Sequence, residues 1–234
     1  MKRPVVAIVQ ARMGASRLPN KMMLWLHGLP VVGWVWQRLR QAKSLDRILF
    51  ALPDSPADDV LAQYLQGENA EVFRGSETDV LLRYTEAASF SEAGTVVRVC
   101  ADNPFVTASE VDRLVEFFAE GKYDYAYNHI PRENHYPDGL GAEITHRDII
   151  NLMHREAVEP EHREHVFNYL WANAGRFRIG TCDPVDKGMW HPELRLDLDT
   201  AEDYARLLGL RVSPASTARE VVDLVLAARR QENP

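Results

Sequence analysis

Three cations crowd one short stretch: Arg12, Arg17 and Lys21 lie within Gln10-Ala11-Arg12-Met13-Gly14-Ala15-Ser16-Arg17-Leu18-Pro19-Asn20-Lys21. Cationic side chains in a turn with a flexible glycine suit a polyanion such as a nucleoside triphosphate. Far along the chain, Leu194-Arg195-Leu196-Asp197-Leu198-Asp199 alternates strictly. In a strand, Asp197 and Asp199 share one face and the leucines the other. Two carboxylates on one face near a strand end suit a hard divalent cation. Asp102, in Ala101-Asp102-Asn103-Pro104, adds a carboxylate just after an apolar run. Together these residues suggest phosphate-transfer chemistry. Cations hold a triphosphate, carboxylates hold Mg²⁺, and charge is neutralised as pyrophosphate leaves. Positioning and charge do most of that work, so no nucleophilic triad is required. Each feature also has a plainer reading. The basic loop suits an ordinary surface turn, and Asp102 is a common turn residue. The acidic pair suits a solvated edge strand, with Asp199 capping the helix that begins after it.

The elements that must position these groups follow from patterning. Val5 to Val9 is a nearly continuous apolar run, which predicts a strand buried on both faces. Further strands are predicted at Arg47 to Leu52, Glu71 to Arg74 and Thr95 to Cys100, which start 24 residues apart. Arg98 is the only charged residue of the last. Helical patterns fill the intervals: Val31 to Ala42 after Pro30, a segment opening on Asp58 and Asp59, and Thr78 to Ala93. Another helix follows Thr107, with Glu110 completing a capping box. This alternation predicts an α/β fold, a mostly parallel sheet sandwiched by helices with right-handed crossovers. Ligands of such sheets bind at the carboxyl ends of the strands. The basic loop and Asp102 both sit there.

The rhythm changes after Asp124. Tyr125 to His129 and Glu143 to Thr145 are predicted strands around a polar loop, 130–142, of a length usually reserved for function or disorder. Helical patterns follow at about 146–157 and 160–174, then strands at Arg176 to Thr181 and Leu194 to Leu198. Helices at Thr200 to Leu208 and Thr217 to Gln231 close the chain, each opening on a capping-box pattern. Glu161-His162-Arg163-Glu164-His165 is a charged helix face or an acceptor contact; its spacing is not the His-Glu-x-x-His zinc signature. Gly14 stands without the three-glycine spacing of a dinucleotide fingerprint, which disfavours a dehydrogenase. Trp25, Trp34 and Trp36 are expected in the core or at a subunit contact.

With 234 residues, 46% of them hydrophobic, the chain fits a single globular α/β domain. The net charge of -7 argues against a general nucleic-acid binder. Cys100 and Cys182 lack metal-ligand spacing, and two isolated thiols suit a reducing, cytoplasmic setting. The opening apolar run is too short for a signal peptide, and no stretch is long enough to span a membrane.

The opening motif closely resembles the signature of the cytidylyltransferases that make CMP-sugars, nearest to the spore-coat polysaccharide SpsF type. CMP-Kdo synthetases and acylneuraminate cytidylyltransferases are relatives. The resemblance continues in order through Phe73-Arg74-Gly75-Ser76-Glu77, Asp79-Val80-Leu81 with Arg83-Tyr84, Val97-Arg98 and Ala101-Asp102-Asn103-Pro104. It then runs through Tyr136-Pro137-Asp138-Gly139-Leu140, Arg163-Glu164-His165-Val166 and Leu196-Asp197-Leu198-Asp199-Thr200. It covers nearly the whole chain.

The resemblance implies a Rossmann-like sheet of the nucleotide-diphospho-sugar transferase type. A small inserted dimerisation and acceptor segment would span about 129–175, and a homodimer is expected. The implied reaction is CTP-dependent: an acceptor oxygen attacks the α-phosphorus, pyrophosphate departs, and Mg²⁺ neutralises charge. Arg12, Ser16, Arg17 and Lys21 would bind the triphosphate, with Gly14 in the same loop. Ala11, Arg74 and the loop of Gly75, Ser76 and Asp79 would frame cytosine and ribose. Asp102 and Asp199 would hold the metal, assisted by Asp197, so that Arg12, Lys21, Asp102 and Asp199 form the catalytic set. Tyr136, Asp138, Gly139, Glu143 and His165 would line the acceptor pocket. The acceptor is expected to be a sugar acid of the nonulosonate or Kdo class, with a phosphonate as the alternative. An acidic acceptor calls for a further basic group, and Arg132, Arg163, Lys187 and Arg195 are the candidates. A catalytically silent partner subunit is the reading from another class. The joint presence of triphosphate and metal groups argues against it.

Overall fold

A computed structural model describes residues 3–232. The strands are β1 (Val5–Gln10), β2 (Trp25–Leu26), β3 (Leu29–Pro30), β4 (Arg47–Pro53), β5 (Glu71–Gly75), β6 (Thr95–Cys100), β7 (Tyr125–Tyr127), β8 (Glu143–His146) and β9 (Ile179–Thr181). The α-helices are α1 (Val31–Leu39), α2 (Asp59–Gly67), α3 (Val80–Phe90), α4 (Ala108–Gly121), α5 (Arg147–Glu156), α6 (Pro160–Glu164), α7 (Asn168–Ala172), α8 (Ala201–Leu208) and α9 (Ala218–Glu232).

Seven strands form one sheet in the order β5-β4-β1-β6-β8-β7-β9, and β2 and β3 form a separate hairpin. β8 runs antiparallel to both neighbours, while every other pairing in the large sheet is parallel. β1 is central, and its run of apolar residues feeds both faces. Val5, Ala7 and Val9 pack into the core with α1, α2, α4 and α9. Val6 and Ile8 pack into the opposite core with α3, α5 and α7. A strand buried on both faces needs no polar alternation.

Several local expectations are corrected. Leu194, Leu196 and Leu198 are buried, but this segment is not a strand. It is an extended length of chain with one bridge, Asp138 to Arg195, because its neighbour is a loop rather than another strand. Helix 160–174 is broken. His165 leaves helical geometry at φ -105° and ψ 85°, which separates α6 from α7. Thr107 does not cap α4 through its side chain. Its hydroxyl donates to the Phe105 carbonyl and accepts from buried Arg38. The capping boxes at Thr200 and Thr217 do form. Trp34 is fully buried, whereas Trp25 is 64% exposed on the β2–β3 hairpin.

Candidate active site

The loop after β1 folds back over the carboxyl edge of the sheet. The buried Asp58 carboxylate accepts from the Met13 amide at 2.7 Å and anchors the loop. Asn20 turns the chain in the left-handed region, at φ 61°, and delivers Lys21 into a single 3-10 turn. Asn is among the residues that tolerate this conformation.

Lys21 joins three distant segments. Its ammonium donates to Asp102 Oδ2 at 2.8 Å, to the Leu198 carbonyl at 2.8 Å and to Asp199 Oδ1 at 3.0 Å. Arg17 holds the second oxygen of Asp199 at 2.8 Å. The backbone keeps the carboxylates in place. The Leu198 amide donates to the Asp102 carbonyl at 2.8 Å. The Asp199 amide donates to Asp203 Oδ2, within the capping box of α8. Burial alone would lower the Lys21 pKa, but the facing carboxylates outweigh it and the net shift is upward.

These groups line an open cavity of about 330 Å³. Arg12 reaches its wall and makes no ion pair among the described residues. Cys100 also lines it, but burial, first among the causes, pushes its thiol up to about 12. A thiol so held stays protonated at neutral pH and is no nucleophile. Among the described residues, no group of three or more His, Cys, Asp or Glu is arranged to hold a metal ion. The Asp102 and Asp199 pair still fits a divalent cation that takes its remaining ligands from phosphate oxygens and water. The chain already places one positive charge between them.

A second cavity of about 200 Å³ adjoins the first and shares Arg98 and His165 with it. Glu143 of β8 lines it. It pairs with Arg98 of β6 and accepts from the Tyr125 hydroxyl at 2.6 Å. Burial would raise the Glu143 pKa, but Arg98, His129 and the Tyr125 hydroxyl lower it overall. His129 lies 3.7 Å from Glu143, and burial shifts its pKa downward.

The model of one protein family, described as cytidylyltransferase, matches residues 6–209. The chain belongs to the cytidylyltransferase family. The spore coat polysaccharide biosynthesis protein SpsF of Bacillus subtilis is 28% identical over 230 residues, 94% of this chain and 93% of SpsF. The structure of a cytidylyltransferase from Leptospira borgpetersenii superposes with a TM-score of 0.89 at 25% identity, covering 99% of this chain and 96% of that one. A CMP:2-keto-3-deoxy-manno-octonic acid synthetase, solved with CTP, shares the fold at 17% identity and a TM-score of 0.65, over 88% and 97% of the two chains.

Within this cytidylyltransferase the residues singled out by sequence fall into separate groups. Ala11, Arg12, Ser16, Arg17, Lys21, Asp102 and Asp199 line the larger cavity, Glu143 the smaller, and His165 both. Gly14 lies on the same loop with open space beside its α-carbon. Arg74, Gly75, Ser76 and Asp79 are not on either wall. Arg74 is bonded to the Pro53 and Ser55 carbonyls and to Asp59. Gly75 packs against Phe73, and the Ser76 carbonyl accepts from Arg83. Asp79 caps α3 through the Leu82 amide and pairs with Arg163.

Asp197 parts from Asp199. Its carboxylate is held by Arg195 at 2.6 Å and lines neither cavity. Tyr136 is fully buried, with its hydroxyl between Glu110 and Arg113. Gly139 adopts φ 97° and passes so close to the Leu196–Asp197 backbone that a Cβ would lie 3.1 Å from it. Asp138 is pushed up to about 6, by burial first and then by the charge of Asp197. Sequence reasoning missed His129 and Trp171 on the smaller cavity. Arg98 had a signal, since a lone charge in a buried strand must meet a partner.

Proposed function

We propose that this cytidylyltransferase transfers CMP from CTP to an oxygen of an acidic acceptor. The new bond forms at the α-phosphorus, and the bond to the departing pyrophosphate breaks. The observation that carries the reading is the Lys21 bridge between Asp102 and Asp199, beside Arg12 and Arg17. A protein that only bound nucleotides would need the cations but not two carboxylates converging on one of them.

Arg12, Arg17 and Lys21 would grip the triphosphate. Their charge steadies the developing negative charge on the leaving group. Asp102 and Asp199 would hold Mg²⁺, which supplies Lewis-acid neutralisation of phosphate oxygens. Ala11, Arg12, Ala15 and Ser16 line the same cavity and would set the position of the nucleotide. The CTP carried by the structurally similar synthetase supports cytidine as the base.

Melting curves with each of the four ribonucleoside triphosphates and Mg²⁺ test this. CTP is expected to raise the melting temperature most, through binding linkage, and to be the nucleotide that yields pyrophosphate with an acidic acceptor. Equal shifts for all four would remove the cytidine assignment.

A further inference from the structure

Resting on the CMP-transfer reading, we infer that Asp58, which lines neither cavity, is a positioning residue for phosphate transfer: through the Met13 peptide it sets where Arg12 and Lys21 stand before a nucleotide arrives.

The Met13 peptide is the hub of the basic loop. On one side its amide donates to Asp58 at 2.7 Å. On the other its carbonyl accepts from the Ala15 amide at 2.9 Å and from the Asn20 amide at 3.2 Å. The bond from Ala15 closes the turn that leads to Ser16 and Arg17. The bond from Asn20 draws the far end of the loop back to its start. Arg12 precedes this peptide and Lys21 follows Asn20. One carboxylate, 45 residues along the chain, therefore fixes the point from which both cations leave. The turn that carries Asp58 is itself held. The Asp58 amide donates to the Ser55 carbonyl at 2.9 Å. Arg74 spans the same turn, on the Pro53 and Ser55 carbonyls and on Asp59. Arg74 thus has a place in this chain of contacts although it lies on neither cavity wall.

Asp58 is 3% exposed and makes no ion pair among the described residues. Burial is the first cause of the upward shift of its pKa; the Met13 amide, Arg74 and Arg83 oppose that shift, and Glu77 adds to it. A neutral acceptor would serve a purely structural hydrogen bond at lower desolvation cost. The charge has a second use among the cations near the loop. Arg83 is fully buried and donates to the Ser76 carbonyl, and its Nε and Nη2 have no hydrogen-bond partner among the described residues. Its charge opposes Arg12, and Asp58 and Asp79 offset it. Asp58 therefore holds the loop by a hydrogen bond and screens Arg12 from a like charge.

The test reads the loop and the ligand separately. Amide exchange followed by NMR is expected to show Met13, Ala15 and Asn20 protected in the wild type. Asp58→Ala should expose all three. Asp58→Asn keeps an acceptor oxygen but no charge, and should give intermediate protection. Inorganic tripolyphosphate, without metal, probes the cations alone. By calorimetry well below the melting temperature, it should bind about 10- to 100-fold more weakly to Asp58→Ala, as misplaced charged contacts do. The loss in Asp58→Asn should be about three- to tenfold. A merely structural residue would lower Tm and leave the affinity of the folded protein unchanged. Because Asp58 acts partly through Arg12, its loss and that of Arg12→Met should overlap in the double variant. If Asp58→Ala does not fold, the near-isosteric Asp58→Asn decides. Unchanged tripolyphosphate affinity in Asp58→Asn overturns the inference. So do losses that multiply fully with Arg12→Met, or Met13 exchange as slow in Asp58→Asn as in the wild type. If the wild-type protein binds neither tripolyphosphate nor CTP, the CMP-transfer reading fails instead, and amide exchange still decides the hold of Asp58 on the loop.

Discussion

Lys21→Met separates stability, nucleotide binding and cation binding at one position. The wild-type Lys21 side chain is 10% exposed, and its ammonium donates to Asp102, Asp199 and the Leu198 carbonyl. Its removal leaves two carboxylates converging, with Arg17 still on one of them. Breaking a buried ion pair costs about 3–5 kcal/mol. Asp102 and Asp199 are 31% and 20% exposed, so solvent screens part of that loss. We expect about 1–3 kcal/mol here. In a domain of this size each kcal/mol moves Tm by about 2–4 °C, so Tm should fall by about 2–12 °C. The facing carboxylates raise the lysine pKa above its ordinary value despite burial. A raised amine stabilises fully below its unfolded pKa and loses that contribution only as pH rises through the folded one. The Tm deficit should therefore be constant from about pH 6 to pH 9 and shrink only in alkali.

The two ligands should respond in opposite directions. Loss of a charge-assisted contact should weaken CTP binding about 10- to 100-fold. Binding of Mn²⁺ without nucleotide, followed by its EPR signal, should become tighter, because no ammonium stands between the carboxylates. Added Mn²⁺ should also restore more of the melting temperature in the variant than in the wild type. A variant that melts like the wild type, or binds Mn²⁺ more weakly, refutes the bridge as the organising contact.

Two further substitutions probe neighbouring carboxylates. Asp138 is held at about 6, so the folded protein binds its proton more tightly than the unfolded chain and loses stability as pH rises. Asp138→Asn should therefore stabilise the protein above about pH 6 and do nothing near pH 4. The shift corresponds to at most about 3 kcal/mol, or about 1–2 kcal/mol after allowing for partial exposure; urea midpoints at the two pH values check it. Asp79→Ala removes the α3 cap and the Arg163 partner, and should cost about 2–4 kcal/mol in urea unfolding. CTP affinity should stay unchanged; a tenfold loss would bring the nucleotide to Asp79.

The sheet was legible because its strands are buried in ways that leave a mark. β1 reads as an unbroken apolar run because both its faces meet helices. The evenly spaced β4, β5 and β6 follow from the same parallel arrangement. The capping boxes at Thr200 and Thr217 were legible because both partners lie within one turn. Thr107 was misread because its hydroxyl is claimed by Arg38, 69 residues away. No local pattern carries that competition. The break at His165 likewise occurs where the chain must turn between α6 and α7, with Val166 and Phe167 buried beneath it.

The acidic pair shows how far alternation can be taken. Period two tells which residues share a face, and Leu194, Leu196 and Leu198 do share the buried one. It does not tell what waits opposite each polar residue. Asp197 meets Arg195 of its own segment, while Asp199 meets a lysine 178 residues away. The difference lies in the neighbours that the fold delivers. The Asp102 carbonyl pins Leu198, and the α8 capping box pins the amide of Asp199. Asp199 is thus held through the Leu198 amide and its own amide at the point where the basic loop arrives. A carboxylate one position away would point into a different environment, as the buried leucines do. The spacing of the motif therefore marks Asp199 as a candidate, and the distant contacts of Asp102 and Lys21 separate it from Asp197.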